Sequence, residues 1–460
     1  MESRDEHAKK LKEIADYAFS NGVKVVGLQQ FEKPINSWSK EMFDTFFIAC
    51  NDGFKIAQKM LIEEIEKYQS LLIENQKKIK EYRRLKDNDK IKKTEIELKI
   101  IEQRLHNFTH IADGIAWHLV GGNIHIARRL NIRDNSSKIL KNSNIKHAIS
   151  VAEKINENPR DFALISDITG YIQIGDLLAK HGNQIEIIEL KEGKVNEQIK
   201  EFFEKAEREE IEITDDILDE TFDQHTAKQA KRMQRQNERM ENVTEIISND
   251  KGTDPVSGMR MNIGSPQIPT VHYYDELIKL ANELKEKIWA YTVVDECLHI
   301  GMYRDEGIAI APIAIEETLK CETENYILID WMSITDNLSE PIFAKPLPPE
   351  FIIDILIGKT KIIIGINLDA FIDLTNKYKL EARWLSTKET SKVKQLDKGK
   401  NIISMNNKTI GAKLSNGLDI ILLTGGHLSK ILYDNIKPTN IIETIISMED
   451  YYRKITEENK

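Results

Sequence analysis

The feature that most limits what this chain can fold into lies between Phe54 and Trp117. From about Phe54 the pattern is strongly helical. Leu61, Ile65, Tyr68, Leu72, Ile79 and Tyr82 keep a heptad spacing, with Asn75 as a polar interruption. Lys86-Asp87-Asn88-Asp89-Lys90 reads as a turn. A second series follows in Ile91, Leu98, Ile101, Leu105, Phe108, Ala112 and Ile115. Two such segments joined by a short polar turn predict an antiparallel coiled-coil hairpin, and a hairpin of this kind serves as a spacer or as the arm of a homodimer. Gly121-Gly122 is the expected stop. Residues 1–50 read as helix and loop with little chemistry.

The chain has 460 residues, enough for several domains, with 40% hydrophobic and 30% charged residues. Its formal net charge of −10 argues against a protein that coats nucleic acid indiscriminately; any such binding must use a local basic surface. Cys50, Cys297 and Cys321 are far apart and form no C-x-x-C pair, which suits a reducing compartment and argues against a disulfide framework or zinc ribbon. The charged N-terminus, MESRDEHAKKLKEI, has no apolar core, so no signal peptide is expected. No window approaches the apolar length needed to span a membrane. The expectation is a cytoplasmic protein with no membrane association.

Beyond the hairpin the period changes. A helix is predicted at 143–156, then strands at Phe162–Ile165, Tyr171–Ile174 and Ile185–Leu190, with helices at 195–210 and 224–245. A Gly-, Pro- and Ser-rich loop runs from Pro255 to Pro269. A helix at 273–286 leads to a long strand-like stretch, Trp289–Tyr303. From about 325 come strands at Tyr326–Trp331 and Lys361–Ile366, and a hairpin turning at Asn416-Gly417. Gly425-Gly426-His427 reads as a tight strand-to-helix turn, since no Walker or G-x-G-x-x-G pattern accompanies it.

The chemically informative residues are Gly175-Asp176 and Glu189-Leu190-Lys191. Strand alternation places Ile185, Ile187, Glu189 and Lys191 on one face. Two apolar residues leading into two charged ones suit a strand buried at its start and opening into a cleft at its end. Ile172 and Ile174 precede Asp176 in the same parity, so the neighbouring strand would also end in an acid. Two close carboxylates repel one another, and a divalent cation relieves that repulsion. Mg²⁺ takes hard oxygen ligands: one or two carboxylates, waters and a phosphate oxygen.

This arrangement resembles the PD-(D/E)XK nuclease superfamily, which includes many restriction endonucleases. The resemblance covers roughly 140–305. It implies a restriction-endonuclease-like α/β (α+β) core, a mixed sheet flanked by helices in the order helix–strand–strand–strand–helix–strand. Asp176 stands at the acid position, with Gly175 where the family is named for proline. Glu189 and Lys191 match E-x-K, and Leu190 would supply a metal-binding backbone carbonyl. The implied cofactor is Mg²⁺ or Mn²⁺, the implied activity hydrolysis of phosphodiester bonds in DNA, with RNA as the lesser expectation, and the implied setting restriction or anti-phage defence. Many members add an acid from the helix before the first strand; Glu153 occupies that helix, Asp113 is the alternative, and either also reads as a solvent-facing acid. The organisation expected is a helical region at 1–120, a nuclease domain at 121–320, and a C-terminal α/β domain at 325–460 with no assigned role.

Two further groups stand out. Lys228, Arg232, Arg235 and Arg239 recur at helical spacing and form one basic face, suited either to a nucleic-acid backbone or to salt-bridged solvent exposure. His106, His110, Asp113 and Trp117 share a helical stripe; without a third metal ligand, packing is the better reading. The rival expectations are a non-catalytic binding or scaffold protein on a nuclease-like core, and a purely structural coiled-coil protein.

Overall fold

The computed structural model describes residues 2–131, 145–182, 184–190, 193–209, 211, 213–249, 251–253, 260–262, 268–334, 340–396, 402–413 and 419–458. The chain divides into two compact units, residues 9–264 and residues 265–460 together with 1–8. The expected boundaries at 120/121 and 320/325 do not coincide with this division: the helical hairpin and the three candidate strands belong to one body, and the expected fourth strand belongs to the other.

In the unit 9–264, the greater part of α1 (Arg4–Val26) and the short α2 (Leu28–Phe31) precede the two long helices α3 (Lys40–Leu85) and α4 (Asn88–Leu119). These last two pack against each other as the heptads require. Leu61, Ile65, Tyr68 and Ile79 of α3 and Ile101, Phe108, Ala112 and Ile115 of α4 are all buried. The turn between them has Lys86 in the left-handed region (φ 57°), and the Asp87 side chain caps α4 by accepting from the Lys90 amide. Polar residues on the seam find local partners: Asn75 Nδ2 donates to the Leu71 carbonyl, and buried Arg104 donates to Tyr68 Oη at 3.0 Å.

After α5 (Ile124–Leu130) and α6 (Ile145–Asn156) come β1 (Asp161–Ile165), β2 (Leu177–His181) and β3 (Gln184–Ile188), an antiparallel meander in the order β1-β2-β3. Leu177, Leu178 and Ala179 of the central strand are all fully buried, because both of its faces are covered. α6 packs on β1 through Ala148 and Ala152, and α3 reaches the same strand, with the Phe54 and Phe162 rings 5.5 Å apart. The free edge of β1 is closed by a side chain. Gln58 Nε2 donates to the Ala163 carbonyl at 3.0 Å and Gln58 Oε1 accepts from the Ile165 amide at 2.9 Å, so one amide group stands in for a neighbouring strand. The unit continues through α7 (Lys194–Arg208), α8 (Asp215–Thr221), α9 (Gln224–Asn249) and the two-stranded β4 (Lys251–Thr253) and β5 (Arg260–Asn262). Ile199, Leu218, Ala230 and Met233 form the core where α7, α8 and α9 meet.

The unit from 265 onward holds α10 (Tyr274–Glu283), β6 (Trp289–Val294), β7 (Leu298–Arg304), α11 (Ala311–Glu322), β8 (Tyr326–Asp330), α12 (Pro349–Leu356) and β9 (Thr360–Asn367). Its main sheet is antiparallel in the order β6-β7-β9-β8, with α11 against one face. The stretch read as one strand from Trp289 to Tyr303 is therefore a hairpin, and it pairs with β9. Its turn places Asp295 (φ 48°) and Glu296 (φ 60°) in the left-handed region, a pair that lacks the glycine or asparagine by which such turns are recognised. Then follow α13 (Leu368–Lys377), β10 (Arg383–Trp384), α14 (Thr387–Leu396), β11 (Ile410–Lys413), β12 (Asp419–Ile421), α15 (Gly425–Leu432) and α16 (Pro438–Glu458), with β10, β11 and β12 forming a second small sheet. The expected hairpin here is present as β11–β12; its turn at 416–417 lies outside the described residues. Thr424 caps α15 by accepting from the His427 amide, which accounts for the Gly425-Gly426-His427 turn. Every strand pair among the described residues is antiparallel, so the class is α+β with small antiparallel sheets.

Candidate active site

Tyr171–Ile174, expected as the second strand, is a loop, and the strand begins only after the acid, at Leu177. The reason is Gly175, which sits at φ +75°. A Cβ placed there would come within 2.5 Å of Ile187 Cγ2 and 3.1 Å of the Ile188 carbonyl oxygen, so the loop backbone lies directly on β3 and the chain must turn before it can pair. Proline, with φ fixed near −65°, has no access to this conformation. Glycine at the position where the resembled family carries proline is thus required by the local path of the chain.

Asp176 is the first residue after that turn, and its backbone is held from both sides. Its amide donates to the Ile188 carbonyl at 2.8 Å, and its carbonyl accepts from the Ser166 amide at 2.9 Å. It therefore lies between the end of β1 and the end of β3. Its side chain completes the join: Oδ2 accepts from the Leu190 amide at 2.5 Å. Regular pairing of β2 with β3 ends at Leu177 opposite Ile188. Past that point the Asp176 carboxylate, rather than a backbone carbonyl, receives the next amide of the outgoing chain. The sequence pattern places Asp176 at the end of a strand at 171–174; in the structure it precedes β2 instead and is bonded to the chain at the end of β3.

Glu189 and Leu190 follow β3 directly, and both are half-buried, as Asp176 is. The Asp176 carboxylate is in hydrogen-bond contact with the peptide that joins them. Lys191 lies outside the described residues. The carboxylates of Asp176 and Glu189 are hard oxygen donors of the kind that Mg²⁺ or Mn²⁺ accepts. The donor set fits such an ion. Among the described residues no group of three or more His, Cys, Asp or Glu is placed to hold a metal.

The two additional acids have separate fates. Glu153 is exposed on α6, one residue past the buried Ala152 that faces the sheet. Asp113, on α4, is half-buried, and its Oδ1 accepts from the Gly170 amide at 2.7 Å, in the loop that leads to Asp176. Next to it Tyr171 is buried, and that burial, with the Asp113 charge second, pushes the phenol well above its ordinary range. His110 is fully enclosed and held well below the usual imidazole range, by burial first and by His106 second. The two rings meet edge to face at 4.2 Å, as the packing reading of this stripe requires.

Lys228, Arg232 and Arg235 are exposed on α9 and Arg239 is half-buried, while Ala227, Ala230 and Met233 face the core. None of the four forms an ion pair with a described residue, whereas Lys231 between them is bound to Asp219 at 2.7 Å. The basic face is not a salt-bridged one among the described residues. α9 packs against α5, α7 and α8 and touches β3, the strand that runs out into Glu189.

Sequence reasoning missed Gln58. Its signal is present: Asn51 and Gln58 continue the heptad backward from Leu61 at the same alternating spacing, and both are buried. A polar residue in an apolar seam implies a buried partner, here β1 and its approach, since Asn51 Nδ2 donates to the Pro159 carbonyl.

No protein-family model, curated protein or solved structure matches this chain. No described helix is long and apolar enough to cross a membrane.

Proposed function

We propose that this protein is a metal-dependent nuclease that hydrolyses phosphodiester bonds of DNA, with Asp176, Glu189 and Lys191 as its catalytic residues. The observation that carries the reading is the contact between the Asp176 carboxylate and the Glu189–Leu190 peptide. It supports two acidic residues brought to the same end of the three-stranded sheet. A divalent ion bound there supplies Lewis acidity toward the scissile phosphate. The chain's own groups do the rest. Asp176 and Glu189, with the Leu190 carbonyl, hold the ion. Lys191 orients the attacking water, receives or shares its proton, and offsets charge that develops on the phosphate oxygens. The exposed cations of α9 would bind the nucleic-acid backbone without reading sequence. A role in restriction or anti-phage defence is consistent with this chemistry and rests on the family resemblance.

Nicking of supercoiled plasmid in Mg²⁺ or Mn²⁺ tests the reading. Cleavage by the wild type that is lost without metal and lost in Asp176→Asn, Glu189→Gln and Lys191→Ala supports it. Cleavage that survives all three substitutions assigns the activity elsewhere. A wild type inert on plasmid, single-stranded DNA and RNA favours a binding protein built on the same core.

A further inference from the structure

Asp113 lies on the helical hairpin, far in sequence from the candidate site, yet it grips the segment that delivers Asp176. Its Oδ1 accepts from the Gly170 amide at 2.7 Å. A Cβ at Gly170 would lie 2.8 Å from Asp113 Oδ2 and 3.2 Å from Thr109 Cγ2, so the loop backbone rests against α4 and a side chain here would displace the Asp113 carboxylate. From this contact to Asp176 the chain is pinned throughout. Thr169 Oγ1 donates to the Ser166 carbonyl and accepts from the Ile172 amide. The Gln173 amide donates to the Leu130 carbonyl at 2.7 Å, and Tyr171, Ile172 and Ile174 are buried. Gly175 then lies on β3, and Asp176 is fixed between β1 and β3. Gln58 of α3 holds the strand that enters this loop, at Ala163 and Ile165. The two helices of the hairpin therefore hold the acid-bearing segment on both sides of Ser166.

We propose that Asp113 is a positioning residue of the candidate active site rather than a metal ligand: through Gly170 it ties the loop carrying Asp176 to α4. The hairpin is then the frame on which the site is registered. This inference rests on the nuclease reading for its consequence in activity, and on geometry alone for the tie itself. A positioning role needs a hydrogen-bond acceptor at residue 113 and no negative charge, whereas a ligand role needs the charge. Asparagine separates the two.

The test compares Asp113→Asn, Asp113→Ala and Gly170→Ala in the full chain. Three quantities are read: cleavage rate against Mg²⁺ concentration, divalent-metal binding by calorimetry, and amide exchange across residues 168–176 by mass spectrometry. Positioning predicts that Asp113→Asn cleaves within about threefold of wild type at an unchanged Mg²⁺ requirement. Asp113→Ala is expected to lose about tenfold or more in kcat, of the order set by one lost hydrogen bond, with metal affinity retained. It should also exchange faster across 168–176. Gly170→Ala should reproduce Asp113→Ala, and the double variant should be little worse than either, since the alanine at 113 removes the closer of the two contacts and leaves only that to Thr109 Cγ2.

Unchanged exchange in Asp113→Ala overturns the tie. Loss of metal binding in Asp113→Asn with exchange still protected makes Asp113 a ligand and also overturns the inference. If the wild type neither cleaves nor binds metal, the nuclease reading falls by itself, and the exchange of Asp113→Ala against Asp113→Asn still decides the tie.

Discussion

Asp176 accepts a 2.5 Å hydrogen bond through Oδ2 from the Leu190 amide, so an acid at the start of one strand is fastened to the chain leaving the next. The bond does two things at once. It continues the β2–β3 join past the last regular pair, and it sets a carboxylate against the peptide that follows Glu189. Gly175 makes the approach possible and Ser166 locks it from the other side. The candidate site is thus a product of strand-end geometry, and most of the predictions below disturb that geometry or the surfaces around it.

Restoring the proline that names the resembled family should damage the protein. Gly175 needs φ +75° and has Ile187 Cγ2 within 2.5 Å of any Cβ. Gly175→Ala is expected to cost about 1–3 kcal/mol from the backbone conformation alone, with the collision added. Gly175→Pro should cost more and abolish cleavage. Denaturant melts of both variants check this, and a Gly175→Pro protein as stable as wild type would show that the turn is not as described.

Gln58 is expected to matter for stability beyond its size. Gln58→Leu leaves the Ala163 carbonyl and the Ile165 amide buried without their partner. At about 1–3 kcal/mol for each unsatisfied group, the loss should be about 2–4 kcal/mol, allowing for partial relaxation. Urea unfolding measures it, and a loss below about 0.5 kcal/mol, the range of an ordinary surface substitution, would contradict a strand-capping role.

His110 should make the protein sensitive to mild acid. Burial lowers its pKa well below 6.5 in the folded state, and its Nε2 has no hydrogen-bond partner among the described residues. The unfolded chain therefore takes up a proton near pH 6.5 that the folded chain refuses. Stability from this group is present above that pH and is lost as pH falls, by up to about 1.4 kcal/mol per pH unit. His110→Leu should flatten this part of the acid limb between pH 6.5 and 5.5. Equal slopes for wild type and variant would mean that His110 is protonated in the fold.

The α9 face is expected to carry electrostatic binding to nucleic acid. With Glu189→Gln as a cleavage-silent background, DNA affinity should fall steeply with salt. Replacing Lys228, Arg232, Arg235 and Arg239 with glutamine should reduce the log–log salt slope by about 3 to 4 on duplex DNA, near 0.9 per phosphate contact. An unchanged slope would remove these four residues from the interface.

The parts of the fold legible in the sequence are those where one period persists. The hairpin is readable because Leu61 to Ile115 keep heptads over many turns, and its turn carries a recognisable Asp87 cap. β1 and β3 are readable as apolar runs. The path through Tyr171–Ile174 is not, because a buried loop and a buried strand have the same composition, and only the positive φ of Gly175 separates them. Trp289–Tyr303 was read as one strand for a related reason: Asp295 and Glu296 adopt left-handed conformations without the residues that usually announce them. The parity argument that pairs Asp176 with Glu189 takes Tyr171–Ile174 for a strand, and that stretch is a loop. The roles of Asp113 and Gln58 depend on contacts across more than fifty residues, which no local pattern encodes.

The most direct test of the central reading is metal binding measured by calorimetry with Mn²⁺ on the full chain. If Asp176 and Glu189 hold one ion, the wild type should show a site that is lost in Asp176→Asn and in Glu189→Gln and retained in Lys191→Ala. Binding that persists undiminished in both carboxamide variants would contradict a shared metal site at the end of β2 and β3.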